Sequence, residues 1–134
     1  MRKPITCSPD DSVIDAAKIM NSRNVGSVIV TSEKGEILGI LTERDIVRRV
    51  ISTDIDLKKA KVKEFMSQNI VTVSPYTNLI DALKIMKKTR IRRLPVIKNN
   101  KVIGIITERE IANAIINESN EKITREILKD LLIP

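Results

Sequence analysis

The chain has 134 residues, 42% apolar and 31% charged, a balance typical of a globular domain with a buried core. No apolar run approaches the roughly 18 residues of a membrane span, and no apolar stretch follows the basic start, so we expect neither membrane insertion nor a signal peptide. The net charge of +7 favours anionic partners, while the absence of histidine removes the commonest general base and metal ligand. Because Cys7 is the single cysteine, no internal disulfide can form, and we expect Cys7 to be a small, partly buried apolar residue in a cytoplasmic protein.

An internal repeat organises the chain. The tetrapeptide TCSP at residues 6–9 aligns with TVSP at 72–75, an offset of 66 residues (72 − 6). One residue drops out near Gly35, and GILTERDI at 39–46 then aligns with GIITEREI at 104–111 at an offset of 65 (104 − 39). This period is too long for a solenoid repeat, so the pattern indicates an ancient duplication of a half-domain.

Each copy predicts the same elements in the same order. A short β-type run, at 5–7 and again at 70–73, is stopped by Ser-Pro. Asp11 and Thr77 are the predicted N-caps of the helices that follow. The apolar positions of these helices recur at helical spacing, which predicts their buried faces: Val13, Ala16, Ala17 and Met20 in the first copy, and Leu79, Ala82, Leu83 and Met86 in the second.

Two β-rich runs joined by a turn come next in each copy. They are predicted at 27–31 and 37–41 around SEKGE, and at 94–97 and 102–106 around KNNK, whose asparagines tolerate left-handed turn geometry. A second helix is expected over about 43–51 and again over about 108–116. Residues 54–68 are predicted to form a polar link with a short helical turn. Residues 119–132 carry an amphipathic pattern, for a helix that either packs on the body or forms a dimer contact.

The duplicated pattern resembles a pair of CBS domains, also called a Bateman module. The resemblance rests on four phrases in this order: GILTERD at 39–45, VKEFM at 62–66 ahead of VTVSP at 71–75, RIRRLPV at 90–96, and GIITERE at 104–110. It implies an α+β fold in which two β-α-β-β-α repeats pack about a pseudo-twofold axis. The implied boundaries are 1–53 for the first repeat, 54–68 for the linker, 69–117 for the second repeat and 118–134 for a C-terminal amphipathic helix.

The same resemblance implies a stand-alone regulatory module rather than an enzyme. Such a module forms a homodimer and binds AMP, ADP or ATP, with S-adenosylmethionine as a further candidate, and it signals to an effector protein. By the family pattern each of two clefts mixes residues of both copies. The first cleft is expected to contain Thr42, Arg44, Asp45, Thr72, Ile91, Arg92, Arg93, Leu94 and Pro95. The second, weaker cleft is expected to contain Thr6, Val25, Gly26, Ser27, Val28, Thr107, Arg109 and Glu110.

The spacing of Thr42 and Asp45 allows two interpretations. A Thr followed three residues later by an acid is a capping box that begins a helix. Alternatively, an ionised carboxylate can accept hydrogen bonds from both hydroxyls of a ribose, while the free N–H groups of the helix start attract a phosphate. Glu or Gln normally completes a capping box, so Asp45 is the less obvious capping residue and Glu110 the more obvious one. With the family resemblance added, we expect Asp45 to bind the ribose and Glu110 to cap its own helix. On the family reading, Ile91, Leu94 and Pro95 would lie against the adenine.

The segment from 82 to 107 has eight basic side chains and no acidic one. Such a run is either a solvated surface or, at Arg92 or Arg93, a guanidinium fork for phosphate. The corresponding segment 25–27 is neutral. Two other functions stay open: a ligand-free dimerisation platform, and a nucleic-acid binder that uses this basic stretch. With Phe65 and Tyr76 as the only aromatic residues, stacking of single strands has little support. No metal site and no glycine-rich phosphate loop is predicted.

Overall fold

The computed structural model describes residues 3–118, so the predicted C-terminal helix beyond this point lies outside the described residues. The chain divides into two compact units. Among these residues, the N-terminal unit comprises 4–70 and 100–102, and the C-terminal unit is built on 71–99 and 103–118. Within residues 3–118, no helix combines the length and the hydropathy that crossing a membrane would require.

The N-terminal unit contains a three-stranded sheet in the order β1-β2-β3. The first pair is parallel and the second antiparallel, with Ser27 opposite Thr42. The elements in chain order are β1 (Thr6–Cys7), α1 (Val13–Arg23), β2 (Ser27–Thr31), β3 (Ile37–Thr42), α2 (Glu43–Asp45), a π-helical turn (Ile46–Val50), a 3₁₀ turn (Ile51–Thr53) and α3 (Val62–Phe65). The first predicted repeat therefore has the expected order of strands and helices.

The C-terminal unit repeats this order with one strand fewer. Its elements are α4 (Leu79–Thr89), β4 (Arg93–Lys98), β5 (Lys101–Thr107) and α5 (Glu108–Glu118). The predicted run at 70–73 makes only a single parallel bridge, between Val73 and Val96. The reason is Pro95. In the first copy the N–H of Ile29 donates to the carbonyl of Ile5 at 3.0 Å, but proline at the equivalent position has no N–H to extend the ladder.

The predicted N-caps are wrong by one residue in both copies. Ser12 begins α1 and Asn78 begins α4, each accepting a hydrogen bond from the backbone N–H three residues later, at 3.0 and 2.8 Å. Asp11 and Thr77 accept instead from the backbone N–H three residues earlier, at 2.9 and 3.1 Å. They thus close the turn before the helix, a role that polar side chains near a helix start often take.

Both hairpin turns contain left-handed residues, which the sequence predicts for the asparagines of KNNK. Gly35 lies at a φ of 84°, and Asn99 and Asn100 lie at 53° and 63°. Both asparagines thus have the positive φ that a tight two-residue hairpin turn requires. The turn chemistry predicted for KNNK is confirmed.

The second helix of the first copy is not one continuous α-helix. After Asp45 the backbone widens into a π-helical turn, which the N–H of Ile51 closes by donating to the carbonyl of Ile46. The hydroxyl of Thr53 then donates to the carbonyls of Arg49 and Val50, at 3.0 and 2.8 Å. Because side-chain hydroxyls satisfy carbonyls at this end, regular helix geometry is not needed there. The equivalent α5 keeps α-helical geometry through residue 118.

The predicted helix faces form the cores. Val13, Ala16 and Met20 are buried in the N-terminal unit, and Ala82, Leu83 and Met86 in the C-terminal unit. The two other predicted positions, Ala17 and Leu79, are only partly buried. The segment 54–68, predicted to be a polar link, also contributes to the N-terminal core, because its residues Ala60, Val62 and Phe65 are buried there. Its short predicted helical turn is α3. Among residues 3–118 no polar or charged side chain is buried.

Gly39 in the repeated phrase is required by close packing. Residues 66–67 lie directly against β3, where the N–H groups of Ser67 and Ile40 donate to each other's carbonyls at 2.8 and 3.0 Å. A Cβ on Gly39 would lie 2.7 Å from the sulfur of Met66 and 2.9 Å from the carbonyl oxygen of Ser67. The carbonyl oxygen of Ser67 belongs to the backbone, so a side-chain rotation cannot relieve this contact.

We therefore expect Gly39→Ala to lower the free energy of unfolding by about 1–3 kcal/mol, because the paired backbone must shift. Urea denaturation monitored by circular dichroism measures this change. Gly26→Ala is the matched control, since its Cβ would meet nothing closer than a Glu43 carboxylate oxygen at 3.5 Å. Equal losses in the two variants would contradict the packing argument.

Cys7 is the buried apolar residue that the sequence predicts, with 7% of its surface exposed. Burial, with a smaller contribution from the Asp11 carboxylate, raises the pKa of the thiol from 9.0 to about 11. The neutral thiol is therefore favoured by the fold.

Because the unfolded thiol loses its proton at lower pH than the folded one, the stability contributed by Cys7 is complete below pH 9 and is lost between about pH 9 and 11. Between these values the wild type should lose about 2 kcal/mol more unfolding free energy than Cys7→Ala. Urea denaturation at pH 8.5 and 10.5 gives both differences. Parallel pH dependences would show that burial does not control this thiol.

Candidate functional site

The start of α2 is a complete capping box. The N–H of Asp45 donates to the Thr42 hydroxyl at 3.1 Å, and the N–H of Thr42 donates to Oδ2 of Asp45 at 3.0 Å. Asp45 is the less obvious capping residue from the sequence, yet it completes the capping box of this helix. The Asp45 side chain is one methylene shorter than that of glutamate and still reaches the N–H of Thr42.

Capping leaves part of Asp45 available. Its Oδ1 atom accepts no hydrogen bond within residues 3–118, and the residue is only partly buried. The backbone N–H groups at this helix start are less available than expected. Those of Thr42 and Asp45 are taken by the box, and that of Glu43 donates to the carbonyl of Gly26 at 2.9 Å. The carboxylate, rather than these donors, is the group open to a ligand.

The start of α5 uses the same residues differently. The N–H of Glu110 donates to the Thr107 hydroxyl at 3.1 Å, and this hydroxyl donates to Oε1 of Glu110 at 3.2 Å. The hydroxyl is thereby held between the backbone and the carboxylate of one residue. Glu110 is engaged with its own helix start, as the sequence predicts.

Each helix start lies beside the segment that precedes the hairpin of its own copy. The carbonyl of Gly26 accepts from the N–H of Glu43, and the carbonyl of Arg92 accepts from the N–H of Glu108, both at 2.9 Å. In the N-terminal unit this brings Thr42 and Asp45 next to residues 26–27. In the C-terminal unit it brings Thr107 and Glu110 next to Arg92. The predicted combination of residues from both copies in one cleft stays a prediction.

The predicted site residues are distributed over the two units. The N-terminal unit holds Thr6, Val25, Gly26, Ser27, Val28, Thr42, Arg44 and Asp45. The C-terminal unit holds Thr72, Ile91, Arg92, Arg93, Leu94, Pro95, Thr107, Arg109 and Glu110. Arg44 and Arg109 are both exposed on the first turn of their helices.

The side chains of residues 91–95 differ in exposure to solvent. Arg92 is exposed over 87% of its side chain, and its Nε lies 3.8 Å from a carboxylate oxygen of Glu108. Ile91 and Arg93 are partly buried, whereas Leu94 and Pro95 are completely buried. Because these last two side chains have no exposed surface, Ile91 is the aliphatic residue of this segment that can contact a ligand.

The predicted site residues do not include the glutamate that begins each second helix, Glu43 or Glu108. Glu108 lies at the first position of α5 and faces Arg92. The repeated phrase contained the signal, because TER occurs in both copies, at 42–44 and at 107–109. Among residues 3–118 no group of three or more Cys, Asp or Glu side chains is arranged to hold a metal ion.

Comparison with known proteins agrees with this architecture. The family model of the CBS domain matches residues 1–52 and again 62–117. The mitochondrial CBS domain-containing protein CBSX3 of Arabidopsis thaliana is 36% identical over 123 residues, which cover 89% of this chain and 60% of that protein. The chain therefore spans less than two thirds of that relative.

Solved structures agree as well. The CBS-domain containing protein ATU1752 from Agrobacterium tumefaciens superposes with a TM-score of 0.76 at 32% identity, covering 85% of each chain. The CBS domain pair of protein MJ0100, solved in complex with 5′-methylthioadenosine and S-adenosylmethionine, gives a TM-score of 0.76 at 26% identity, covering 89% of this chain and 93% of that one. The α+β chain described here belongs to the CBS-domain family and carries two CBS domains in tandem.

Proposed function

We propose that this CBS pair is a regulatory module that binds an adenine nucleotide, with the ribose at Asp45 and the phosphates at Arg92 or Arg93. The observation that carries the proposal is the carboxylate of Asp45, which caps α2 with Oδ2 and keeps Oδ1 without a partner among residues 3–118. The adenosine compounds bound by the related pair MJ0100 support the choice of an adenosine ligand.

The ribose assignment follows from hydrogen-bonding capacity. A carboxylate has about four acceptor directions, and the capping bond at Asp45 uses one. The two adjacent hydroxyls of a ribose can donate to the remaining directions as charge-assisted hydrogen bonds. The capping bond also limits rotation of the side chain, so little conformational entropy is lost on binding. Helix capping and ribose binding are thus compatible at Asp45.

The phosphate assignment follows from the exposed guanidinium groups. The 3.8 Å separation of Arg92 from Glu108 is too long for a good hydrogen bond, and exposed pairs of this kind contribute little. Arg92 can therefore turn to a phosphate with small loss. Arg93 begins β4 and is partly buried, so its guanidinium is restricted and suited to a fixed, forked contact.

Regulation requires that the nucleotide bind one arrangement of the protein better than another. We infer that the arrangement is that of a homodimer in the cytoplasm, and that an effector protein senses it. AMP, ADP and ATP are the first candidate ligands, and S-adenosylmethionine is the alternative. The test is native mass spectrometry of the purified protein, followed by isothermal titration with each compound. Absence of both retained ligand and binding heat would favour a ligand-free dimerisation platform.

Asp45→Asn should weaken nucleotide binding at least about ten-fold, because the loss of charge weakens two hydrogen bonds to the ribose while an amide oxygen still caps α2. Isothermal titration with AMP and ATP measures the loss. Glu110→Gln is the matched control at the equivalent position, and we expect less than about a two-fold change there because Glu110 is engaged with Thr107. Equal effects at both positions would refute the assignment.

Arg92→Gln or Arg93→Gln should weaken binding of ATP about five- to ten-fold and leave binding of adenosine unchanged, because only the phosphates contact the guanidinium. Raising the salt concentration should reduce the affinity for ATP in the wild type more than in the affected variant. If neither substitution separates ATP from adenosine, the phosphates lie elsewhere. Affinity for DNA or RNA that survives Asp45→Asn would instead favour the nucleic-acid reading.

A further inference from the structure

The C-terminal unit contains a pocket of about 290 Å³ formed within the second CBS domain alone. The last turns of α4, the residues that follow them and the first residue of α5 make its walls. The lining side chains are Leu83, Met86, Lys87, Arg90, Arg92 and Glu108. The volume lies just below the roughly 300–1,000 Å³ usual for small-molecule sites, so a compact ligand is implied.

The lining has an apolar side and a charged side. Leu83 and Met86 belong to the core of this unit, with 4% and 3% of their surface exposed. Lys87, Arg90 and Arg92 bring three positive charges to the same pocket, against the single negative charge of Glu108. A pocket with this lining matches an anion that also carries an apolar group.

The backbone holds the charged side in place. Arg90 ends α4 in the left-handed conformation, at a φ of 58°, and its N–H donates to the carbonyl of Met86. Two residues later, the carbonyl of Arg92 accepts from the N–H of Glu108 at 2.9 Å. These two bonds bring the segment between α4 and β4 across to the start of α5, so two arginines of one segment line the same pocket.

We propose that this pocket binds a compact phosphate monoester, whose phosphate contacts Lys87, Arg90 and Arg92 and whose apolar group lies against Leu83 and Met86. Phosphate suits this set because guanidinium groups bind it through two parallel hydrogen bonds and a lysine adds a point charge. The site goes beyond the proposed nucleotide function. It shares Arg92 with that function but does not require Asp45, Thr42 or any residue of the N-terminal unit.

Among residues 3–118, Glu108 is the one acidic residue that lines the pocket, and its charge should oppose phosphate binding. Its carboxylate faces Arg92 at 3.8 Å and lies in the wall of the pocket, where it repels an incoming phosphate and competes for the guanidinium. Removal of this charge should therefore strengthen binding of a phosphate ester, whereas removal of a cation should weaken it.

The experiment uses the full chain labelled with ¹³C at the methionine methyl groups and titrated with phenyl phosphate. Met86 lines the pocket, while Met20 and Met66 lie in the N-terminal unit and serve as internal controls. We expect a saturable shift of the Met86 signal alone. Lys87→Gln and Arg90→Gln should each weaken binding about five-fold, and Glu108→Gln should strengthen it about two-fold. Inorganic phosphate should bind more weakly than phenyl phosphate because it has no apolar group.

Lys84→Gln is the matched control, because Lys84 is an exposed lysine one turn earlier on α4 that does not line the pocket. An effect equal to that of Lys87→Gln would reduce the observation to general electrostatic attraction and overturn the proposal. No saturable shift at Met86, or tighter binding of inorganic phosphate than of phenyl phosphate, would overturn it as well.

Titration of Asp45→Asn separates the two proposals: loss of ATP binding with phenyl phosphate binding retained supports a separate site, and loss of both refutes it.

Discussion

One backbone hydrogen bond, made once in each CBS domain, determines where the functional side chains lie. The carbonyl just before the hairpin accepts a hydrogen bond from the first N–H of the helix that follows the hairpin. Glu43 donates to Gly26 in the first domain, and Glu108 donates to Arg92 in the second. The bond satisfies a donor that a helix start would otherwise leave unpaired. It also joins the two ends of the hairpin, so that a Thr and an acid one turn into the helix lie beside the segment before the first strand. Helix capping, the charge of the pocket and the proposed ligand contacts all depend on this junction.

The order of elements and the cores could be predicted from the sequence because they depend on periodicity and on a repeat that presents each signal twice. The helix faces around Met20 and Met86 and the turn at Asn99 and Asn100 are cases where local chemistry is sufficient. The missing strand at 70–73 could have been predicted too, because Pro95 stands where Ile29 donates its hydrogen bond. The role of Asp45 could not, since a capping box and a ribose site require the same residues at the same spacing. Only coordinates show which carboxylate oxygen is used.

The two copies share the backbone junction at the start of the second helix but differ in the charge beside it. Both helix starts have a Thr, an acid and a glutamate in the first turn, yet the segment beside them is neutral at 25–27 in one copy and contains arginines at 92–93 in the other. Since these residues are partly or fully exposed, their substitution costs little packing energy. Duplication therefore supplies two helix starts with the same backbone junction, and the charge beside each of them can change independently.

Arg90 shows where charge and folding are in conflict. A residue in the left-handed conformation at a helix C-terminus is most often glycine, and a side chain there costs roughly 1 kcal/mol or more. At the equivalent end of α1 the chain has Asn24, at a φ of 53°, a residue type that tolerates this geometry well. At this position the second copy has Arg90, whose backbone takes the unfavourable conformation and whose side chain lines the pocket. A designer who relieved that strain with glycine would gain thermal stability and, in the same step, remove a third of the positive charge that makes this pocket selective for anions.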